Sequence, residues 1–151
     1  MQQKSSTTVR ILAILVIVAG VALVIAGAVT WFTVADQLAD ANITVAGDAD
    51  RFAGEPVNGP LTAYEQAKVI NKHALEATGG LTYAELDRED PARQTAMTAS
   101  FLRASLFTSV VAFGVALMAG GIGLVLVLVG SALLALNTSD RFEVVLSKDE
   151  E

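Results

Sequence analysis

The sequence predicts an all-α fold: a transmembrane antiparallel two-helix hairpin with a small helical extracytoplasmic cap. The first observation is that two blocks, residues 11–34 and 104–136, contain no charged side chain. Each block exceeds the roughly 20 apolar residues that a helix needs to cross a bilayer. The second observation is the composition, since 53% of the 151 residues are hydrophobic, 17% are charged and the mean hydropathy is +0.54. Such values are typical of a membrane chain.

Charge and cysteine content exclude several classes of protein. The 16 acidic residues outnumber the 10 basic ones, which excludes a basic nucleic-acid-binding protein. The chain has no cysteine and one histidine, which excludes a disulfide framework and a thiolate metal cluster. We therefore expect the lipid bilayer as a partner, and no nucleic acid.

The first span is predicted at residues 11–34. It follows Arg10 and ends with Trp31 and Phe32, aromatic residues of the kind that lie at the headgroup level. The alternative is a cleaved signal peptide, because residues 26–28 (AGA) resemble a small-residue cleavage site. The apolar stretch is longer than the roughly 7 to 15 residues of a signal-peptide core, which favours an uncleaved anchor.

The second span is predicted at residues 104–136, before an acidic tail at residues 137–151. At about 1.5 Å per residue this block would form a helix of about 50 Å. Such a helix is longer than the bilayer core, so part of it must tilt or protrude.

The basic residues around the first span predict the orientation, whereas the second span is flanked by basic residues on both sides, Arg93 and Arg103 before it and Arg141 and Lys148 after it. Lys4 and Arg10 precede the first span, and no basic residue follows it closely. By the positive-inside rule, this favours cytoplasmic termini at residues 1–10 and 137–151, and it places residues 35–103 outside. The predicted location is the plasma membrane, in which the chain is a multi-pass protein.

Small residues recur every seven positions in both spans and predict where the helices pack. Lipid provides no hydrophobic drive between helices, so association depends on close backbone approach, which small residues allow. A seven-residue repeat keeps one seam facing a partner. The alternative is that glycine and alanine are simply abundant in spanning helices. A second row at four-residue spacing, Ala112, Ala116 and Gly120, suggests a further contact such as a homodimer. The predicted packing residues are Ala13, Gly20 and Gly27 in the first span and Ser109, Ala116, Gly123 and Gly130 in the second.

The exported segment, residues 35–103, is predicted to form an acidic helical cap. Residues 35–100 contain 11 acidic and 5 basic side chains, a net charge of −6. This charge disfavours anionic lipid and nucleic acid, and it suits cations or a basic partner. A segment this short, with no cysteine and few bulky apolar side chains, rarely folds alone. We therefore expect the cap to pack against extensions of both spans.

Start and stop signals predict one central helix in the cap. Thr62 and Glu65 form a T-x-x-E capping box, and a Gly-Gly pair follows Thr78, so a helix is predicted over residues 62–78. Glycine and proline predict loop or short extended structure at residues 43–60.

The flanking signals predict where the spans continue outside the membrane. The first helix should run a turn or two beyond its span and end before Asn42. Thr82 and Glu85 form a second T-x-x-E pattern that opens a short turn. Asp90 followed by Pro91 predicts that the second span begins as a helix outside the membrane.

The central helix has one narrow apolar stripe that must rest on another element. Lys72 and Glu76 are predicted to form an i,i+4 ion pair outside this stripe. The stripe consists of Ala63, Ala67, Ile70, Ala74 and Ala77.

No catalytic, cofactor-binding or metal-binding residue is predicted. His73 is the only histidine, and one histidine cannot supply a two-histidine iron site; a solvated or partly packed side chain is favoured. Asp48 with Asp50, and the acidic residues of 85–90, offer oxygen ligands for calcium, but EF-hand spacing is absent and solvated charge is favoured. No phosphate loop, nucleophile elbow or zinc-protease motif occurs.

Four stretches together resemble a family of small two-span membrane proteins found largely in actinobacteria, commonly labelled as aromatic ring-opening dioxygenase. The resemblance covers nearly the whole chain and implies the two-span fold. No activity carries over to this chain, because the iron ligands of such an enzyme are missing; the label implies at most a non-catalytic small subunit whose ligands come from another chain. The stretches are residues 58–64 (NGPLTAY), 69–77 (VINKHALEA), 82–88 (TYAELDR) and 99–106 (ASFLRASL).

The sequence favours a non-enzymatic integral membrane protein, an accessory or scaffolding subunit of a larger envelope or respiratory assembly. Its partner would be another membrane protein or a second copy of the chain, recognised through the cap. Two alternatives stay open: a non-catalytic small subunit of a ring-opening dioxygenase, and a cation-responsive sensor that uses the acidic loop.

Overall fold

The part of the chain that the structure describes is all-helical, with three helices. A computed structural model describes the backbone of residues 2–148 and the side chains of residues 7–137. The helices are α1 (Gln2–Asp40), α2 (Pro60–Ala77) and α3 (Ala92–Lys148). The two long apolar helices, α1 and α3, pack together, and the shorter α2 lies between them in the chain. The predicted all-α class is confirmed.

Both long helices are long and apolar enough to cross a membrane. The candidate spans are Thr7–Asp40 and Ala92–Asn137, and only 17% of the most apolar stretch of each is buried within the protein. The core helix of a soluble protein would be mostly buried. Large apolar side chains instead point outward along α1 and α3, as Ile25, Leu117 and Leu128 do.

The chain divides into two compact units. The span unit comprises residues 1–29 and 116–151, and the loop unit comprises residues 30–115. In the span unit, α1 and α3 contact each other along small residues. Ser131 Oγ donates a hydrogen bond to the carbonyl oxygen of Val127, one turn back in α3, and this bond satisfies the hydroxyl within its own helix.

The loop unit has a small core to which all three helices contribute. Val45 and Val57, from the loop between α1 and α2, are fully buried, as is Phe113 of α3. The buried alanines of α2 pack against α1 and α3 at this core, so the predicted bracing of the central helix by both long helices is confirmed. The core side chains are Leu38, Val45, Val57, Ala63, Ala67, Leu106 and Phe113.

The loop between α1 and α2 is a short extended hairpin. Thr44 and Pro56 form an isolated antiparallel bridge, and Val45 N–H donates to the Glu55 carbonyl at 2.9 Å. The α1 helix ends at Asp40, and Asn42 then adopts a left-handed conformation with φ 51°, which asparagine tolerates better than most residues. The predicted end of the first helix before Asn42, and the extended loop after it, are both confirmed.

The predicted start of α2 is wrong by two residues. The N-cap is Gly59 and Pro60 is the first helical residue, so Thr62 is the third residue of the helix. The Thr62 hydroxyl accepts the Gly59 N–H at 3.3 Å, and the side chain of Glu65 is turned to Lys68. Proline at the first helical position needs no N–H partner, and the helix therefore begins there.

The other boundaries follow the predicted chemistry. The α2 helix ends at Ala77, and Gly79 and Gly80 adopt positive φ values of 65° and 89°, which terminate the helix at little steric cost. Asp90 Oδ1 accepts the Ala92 N–H at 2.8 Å, and α3 begins at that residue. The predicted extension of the second long helix ahead of its uncharged block is therefore confirmed.

Candidate interaction surface

The structure brings six of the seven predicted packing residues together in the span unit, and all six are buried. A Cβ placed on Gly20 would lie 2.6 Å from the Gly123 carbonyl oxygen, and one on Gly123 would lie 2.5 Å from the Gly20 carbonyl oxygen. These contacts are between backbones, so no side chain fits between the helices there. The facing pairs are Gly20 with Gly123, Gly27 with Ala116, and Gly130 with Ala13.

The second row of small residues contacts α1 only in part. A Cβ on Gly27 would lie 2.6 Å from the Ala116 carbonyl oxygen and 3.0 Å from the Gly120 nitrogen, whereas a Cβ on Gly120 would meet nothing within 4 Å. Ala116 is therefore buried against α1, and the Cβ side of Gly120 stays open. The seventh packing residue, Ser109, lies in the loop unit, half-buried, and its hydroxyl donates to the Ser105 carbonyl at 3.2 Å.

Asp48 joins the loop to α2 through two hydrogen bonds, one of them an ion pair with Lys72. Its Oδ2 accepts a hydrogen bond from Lys72 Nζ at 2.9 Å and another from His73 Nε2 at 2.9 Å. The bond from Lys72, then that from His73, lowers the pKa of Asp48 to about 2, and the same contact raises the pKa of Lys72. The prediction of an ion pair between Lys72 and Glu76 is therefore wrong, because Lys72 pairs instead with Asp48, a loop residue 24 positions away in the sequence.

Lys68 extends this cluster by one helical turn. Its Nζ lies 2.8 Å from Glu65 Oε1 and 3.6 Å from Asp50 Oδ2. The hydrogen bond to Glu65, chiefly, raises the pKa of Lys68. The Glu65 side chain is almost fully buried, and a buried carboxylate requires such a partner. The acidic residues Asp48 and Asp50 are thus paired with cations of α2.

An open groove of about 490 Å³ lies between α2 and α3 in the loop unit. Its apolar lining comes from the C-terminal half of the predicted stripe, Ile70, Ala74 and Ala77, and from Ala99 and Leu102 of α3. The N-terminal half of the stripe is buried in the core. The apolar face of α2 therefore packs into the core at its N-terminal half and borders the open groove at its C-terminal half. The groove is lined mainly by small side chains.

Polar side chains edge the groove. His73 lies at its rim beside Gln94, Thr95 and Thr98 of α3, and the Thr98 hydroxyl donates to the Gln94 carbonyl at 3.0 Å. The imidazole is exposed and hydrogen-bonded to Asp48. The predicted solvated or partly packed histidine is thus exposed, with a carboxylate as its partner.

The chain between α2 and α3 is held by one carboxylate and one guanidinium. Glu85 Oε2 accepts both the Thr82 N–H at 2.8 Å and the Thr82 hydroxyl at 2.7 Å, and the backbone bond chiefly lowers the pKa of Glu85. The predicted T-x-x-E turn is confirmed. Arg93 Nη1 donates to the Leu86 carbonyl at 2.7 Å, and its guanidinium lies 4.0 Å from the Tyr83 ring centroid.

Within residues 7–137, no group of three or more histidine, cysteine or acidic side chains is placed to hold a metal ion. The arrangement that remains is a braced helical surface with an ion-paired edge. It is suited to docking another molecule against α2 and α3.

Sequence reasoning missed two features of this surface. The α3 wall of the groove was not identified, because the small and polar residues at positions 94–99 have no motif. The link between Asp48 and Lys72 joins residues that only the fold of the loop brings together. The four-residue spacing of Lys68 and Lys72, which places both cations on one side of α2, was the only signal of this edge.

Comparisons with protein-family models, curated proteins and solved structures found no match for this chain.

Proposed function

We propose that this chain is a non-enzymatic integral protein of the plasma membrane that serves as an accessory or scaffolding subunit of a larger envelope or respiratory assembly. The observation that carries the proposal is the groove between α2 and α3. In this proposal both termini are cytoplasmic and the loop unit is the extracytoplasmic recognition surface.

The exposed apolar surface of α1 and α3 supports the membrane location. Side chains such as Val29 and Leu117 are mostly exposed, as are most of the side chains in the candidate spans. A soluble monomer rarely exposes so large a contiguous apolar surface, whereas lipid would cover it at no cost.

The form of the groove supports a helix of another chain as the occupant. Small side chains, Ala74, Ala77 and Ala99, leave a channel between two helices. Such a channel accepts the ridge of side chains on a third helix. The groove belongs to a unit whose loop is tied to α2 by ion pairs, so little ordering entropy would be lost on docking.

A groove-filling variant with a matched control tests this proposal. Thr95→Trp places an indole in the groove, and Ser100→Trp places the same side chain at an exposed position of α3 outside the groove. Each protein is purified in mild detergent from its native host, and the co-eluting chains are identified by mass spectrometry. We expect one chain to accompany wild type and Ser100→Trp in fixed ratio and to be lost from Thr95→Trp.

Five results would contradict the proposal. Purification of a lone monomer, or equal retention of the partner by both tryptophan variants, would remove the scaffold role of the groove. Iron bound at stoichiometry, or ring cleavage by the isolated chain, would instead favour a dioxygenase role. Melting of the loop unit that depends on calcium would favour a cation sensor.

The orientation has its own test, which the lack of cysteine makes simple. A single cysteine is introduced at Ala84, an exposed residue of the loop unit, or at Ser5 near the N-terminus. A maleimide that cannot cross membranes should label Ala84→Cys, but not Ser5→Cys, on intact cells. The reverse labelling would invert the orientation.

A further inference from the structure

Arg103 is the last charged residue before the long uncharged part of α3. Residues 104–139 carry no charge, and on α1 the first charged residue after the apolar block is Asp36. If the chain spans a membrane, as proposed above, Arg103 therefore lies on the loop-unit side of the α3 span, just beyond the uncharged block. This inference rests on the membrane location and is independent of the groove.

Arg103 lacks the partners that Lys68, Lys72 and Arg93 have. Lys72 is paired with a carboxylate, and Arg93 donates to backbone carbonyls. The Nε of Arg103 is buried without an acceptor, and none of the carboxylates that the structure describes forms an ion pair with its guanidinium. A half-buried guanidinium without an anion is costly, so an anion from outside the chain would be stabilised here.

Aromatic side chains hold this guanidinium beside α2. The Cζ atom of Arg103 lies 5.9 Å from the Phe107 ring centroid. The Phe107 and Tyr64 rings are in edge-to-face contact, with their centroids 5.9 Å apart. Tyr64 is exposed. The first turns of α2 and the Arg103 side chain are therefore gathered around one ring.

The α2 side of this cluster is exposed. Tyr64 is 46% exposed, and Leu61, one helical turn before it, is 64% exposed. A cation next to aromatic and aliphatic side chains at the end of a span matches the boundary between headgroups and acyl chains. Guanidinium binds phosphate oxygens in a bidentate manner.

We propose that Arg103, together with Tyr64 and Leu61, forms a binding site for an anionic phospholipid. The guanidinium binds the headgroup phosphate, the Tyr64 ring lies at the headgroup level, and Leu61 contacts an acyl chain. Arg103 lies outside residues 35–100, whose net charge of −6 disfavours anionic lipid, and its unpaired positive charge locally selects a lipid with net negative charge over a zwitterionic one.

Lipid retention by the purified full chain tests the site. The protein is exchanged into detergent with phosphatidylglycerol or phosphatidylcholine, and bound lipid is counted by native mass spectrometry. We expect one phosphatidylglycerol to be retained preferentially, and Arg103→Gln to weaken its retention about tenfold, the change that loss of one charge-assisted contact produces. Arg88→Gln removes the same charge from an exposed loop position and should retain the lipid as wild type does.

Three outcomes would overturn the site. They are equal retention by Arg103→Gln and wild type, equal weakening by Arg88→Gln, and an equal preference of wild type for phosphatidylcholine. Displacement of the lipid by millimolar inorganic phosphate would assign the site to free phosphate. If Arg103→Gln does not fold, Arg103→Lys keeps the positive charge but loses the bidentate geometry of the guanidinium. This variant should still prefer phosphatidylglycerol.

The outcome is distinguishable from failure of the proposed function. Release of the chain from membranes by alkaline carbonate would remove the membrane location and with it the lipid site. Loss of lipid preference alone, with the chain still in the membrane and its groove partner still bound, would remove the lipid site only.

Discussion

Replacing Gly123 with alanine should weaken the contact between α1 and α3, although alanine is the better helix former. The new Cβ would lie 2.5 Å from the Gly20 carbonyl oxygen, whereas ordinary contact begins at 3.4 Å. The two backbones would therefore have to part by about 0.9 Å. A gap of that size forfeits roughly a quarter to a half of each dispersion contact along the seam.

A second glycine provides the control. A Cβ on Gly121 would meet nothing within 4 Å, so Gly121→Ala gains the same helix propensity, about 1 kcal/mol, without the clash. The difference in free energy of unfolding between Gly121→Ala and Gly123→Ala is the packing cost. We expect it to be about 1–3 kcal/mol, the usual cost of overpacking a well-packed site.

Unfolding in mixed micelles with increasing dodecyl sulfate, followed by circular dichroism, measures this difference. Gly20→Ala should resemble Gly123→Ala, because its Cβ would lie 2.6 Å from the Gly123 carbonyl oxygen. The double variant should lose less than the sum of the two, since one separation of the helices relieves both clashes. Equal unfolding midpoints for Gly121→Ala and Gly123→Ala would refute the reasoning.

Two further predictions concern the loop unit. Because the pKa of Asp48 falls from its ordinary 3.8 to about 2 in the folded state, its ion pair contributes stability above pH 3.8 that is lost as pH falls through about 2. The melting temperature of wild type should therefore exceed that of Asp48→Asn by less as the pH falls over that range, with Asp87→Asn as the control. A difference in melting temperature that does not depend on pH would contradict this prediction. Val57→Ala should lower the free energy of unfolding by about 2 kcal/mol, since two fully buried methyl groups are lost. Leu81→Ala, which removes more carbon from a side chain that is 44% exposed, should cost less in the same chemical-denaturation assay, and the opposite order would count against the described core.

Local signals predicted most of the helix boundaries, because each boundary depends on neighbouring residues. The Gly-Gly pair after α2 and Asp90 before α3 act within one turn of the helix ends. The start of α2 was misplaced because Thr62 fits either the cap or the third position of a helix. Pro60 was the stronger signal, since it has no N–H to satisfy and its φ is already helical.

The candidate surface was harder to predict, because it depends on contacts between distant residues. The alanine stripe of α2 indicated a buried face, but nothing in its periodicity showed that Ala63 would be enclosed while Ala77 would border a groove. Likewise, Lys72 has an acidic neighbour on its own helix, yet it pairs with Asp48. Which partner an exposed cation takes depends on the path of the loop, and no local pattern encodes that path.

The ring contact between α1 and α3 gives the protein an intrinsic fluorescent probe of helix packing. Trp31 is the only tryptophan in the chain, and its ring centroid lies 4.7 Å from that of the buried Phe113. Indole emission shifts with the polarity of its surroundings. Separation of these two helices in the loop unit would therefore change the emission maximum and the quantum yield of Trp31. Rates of opening and closing are thus accessible by stopped-flow without attaching a dye.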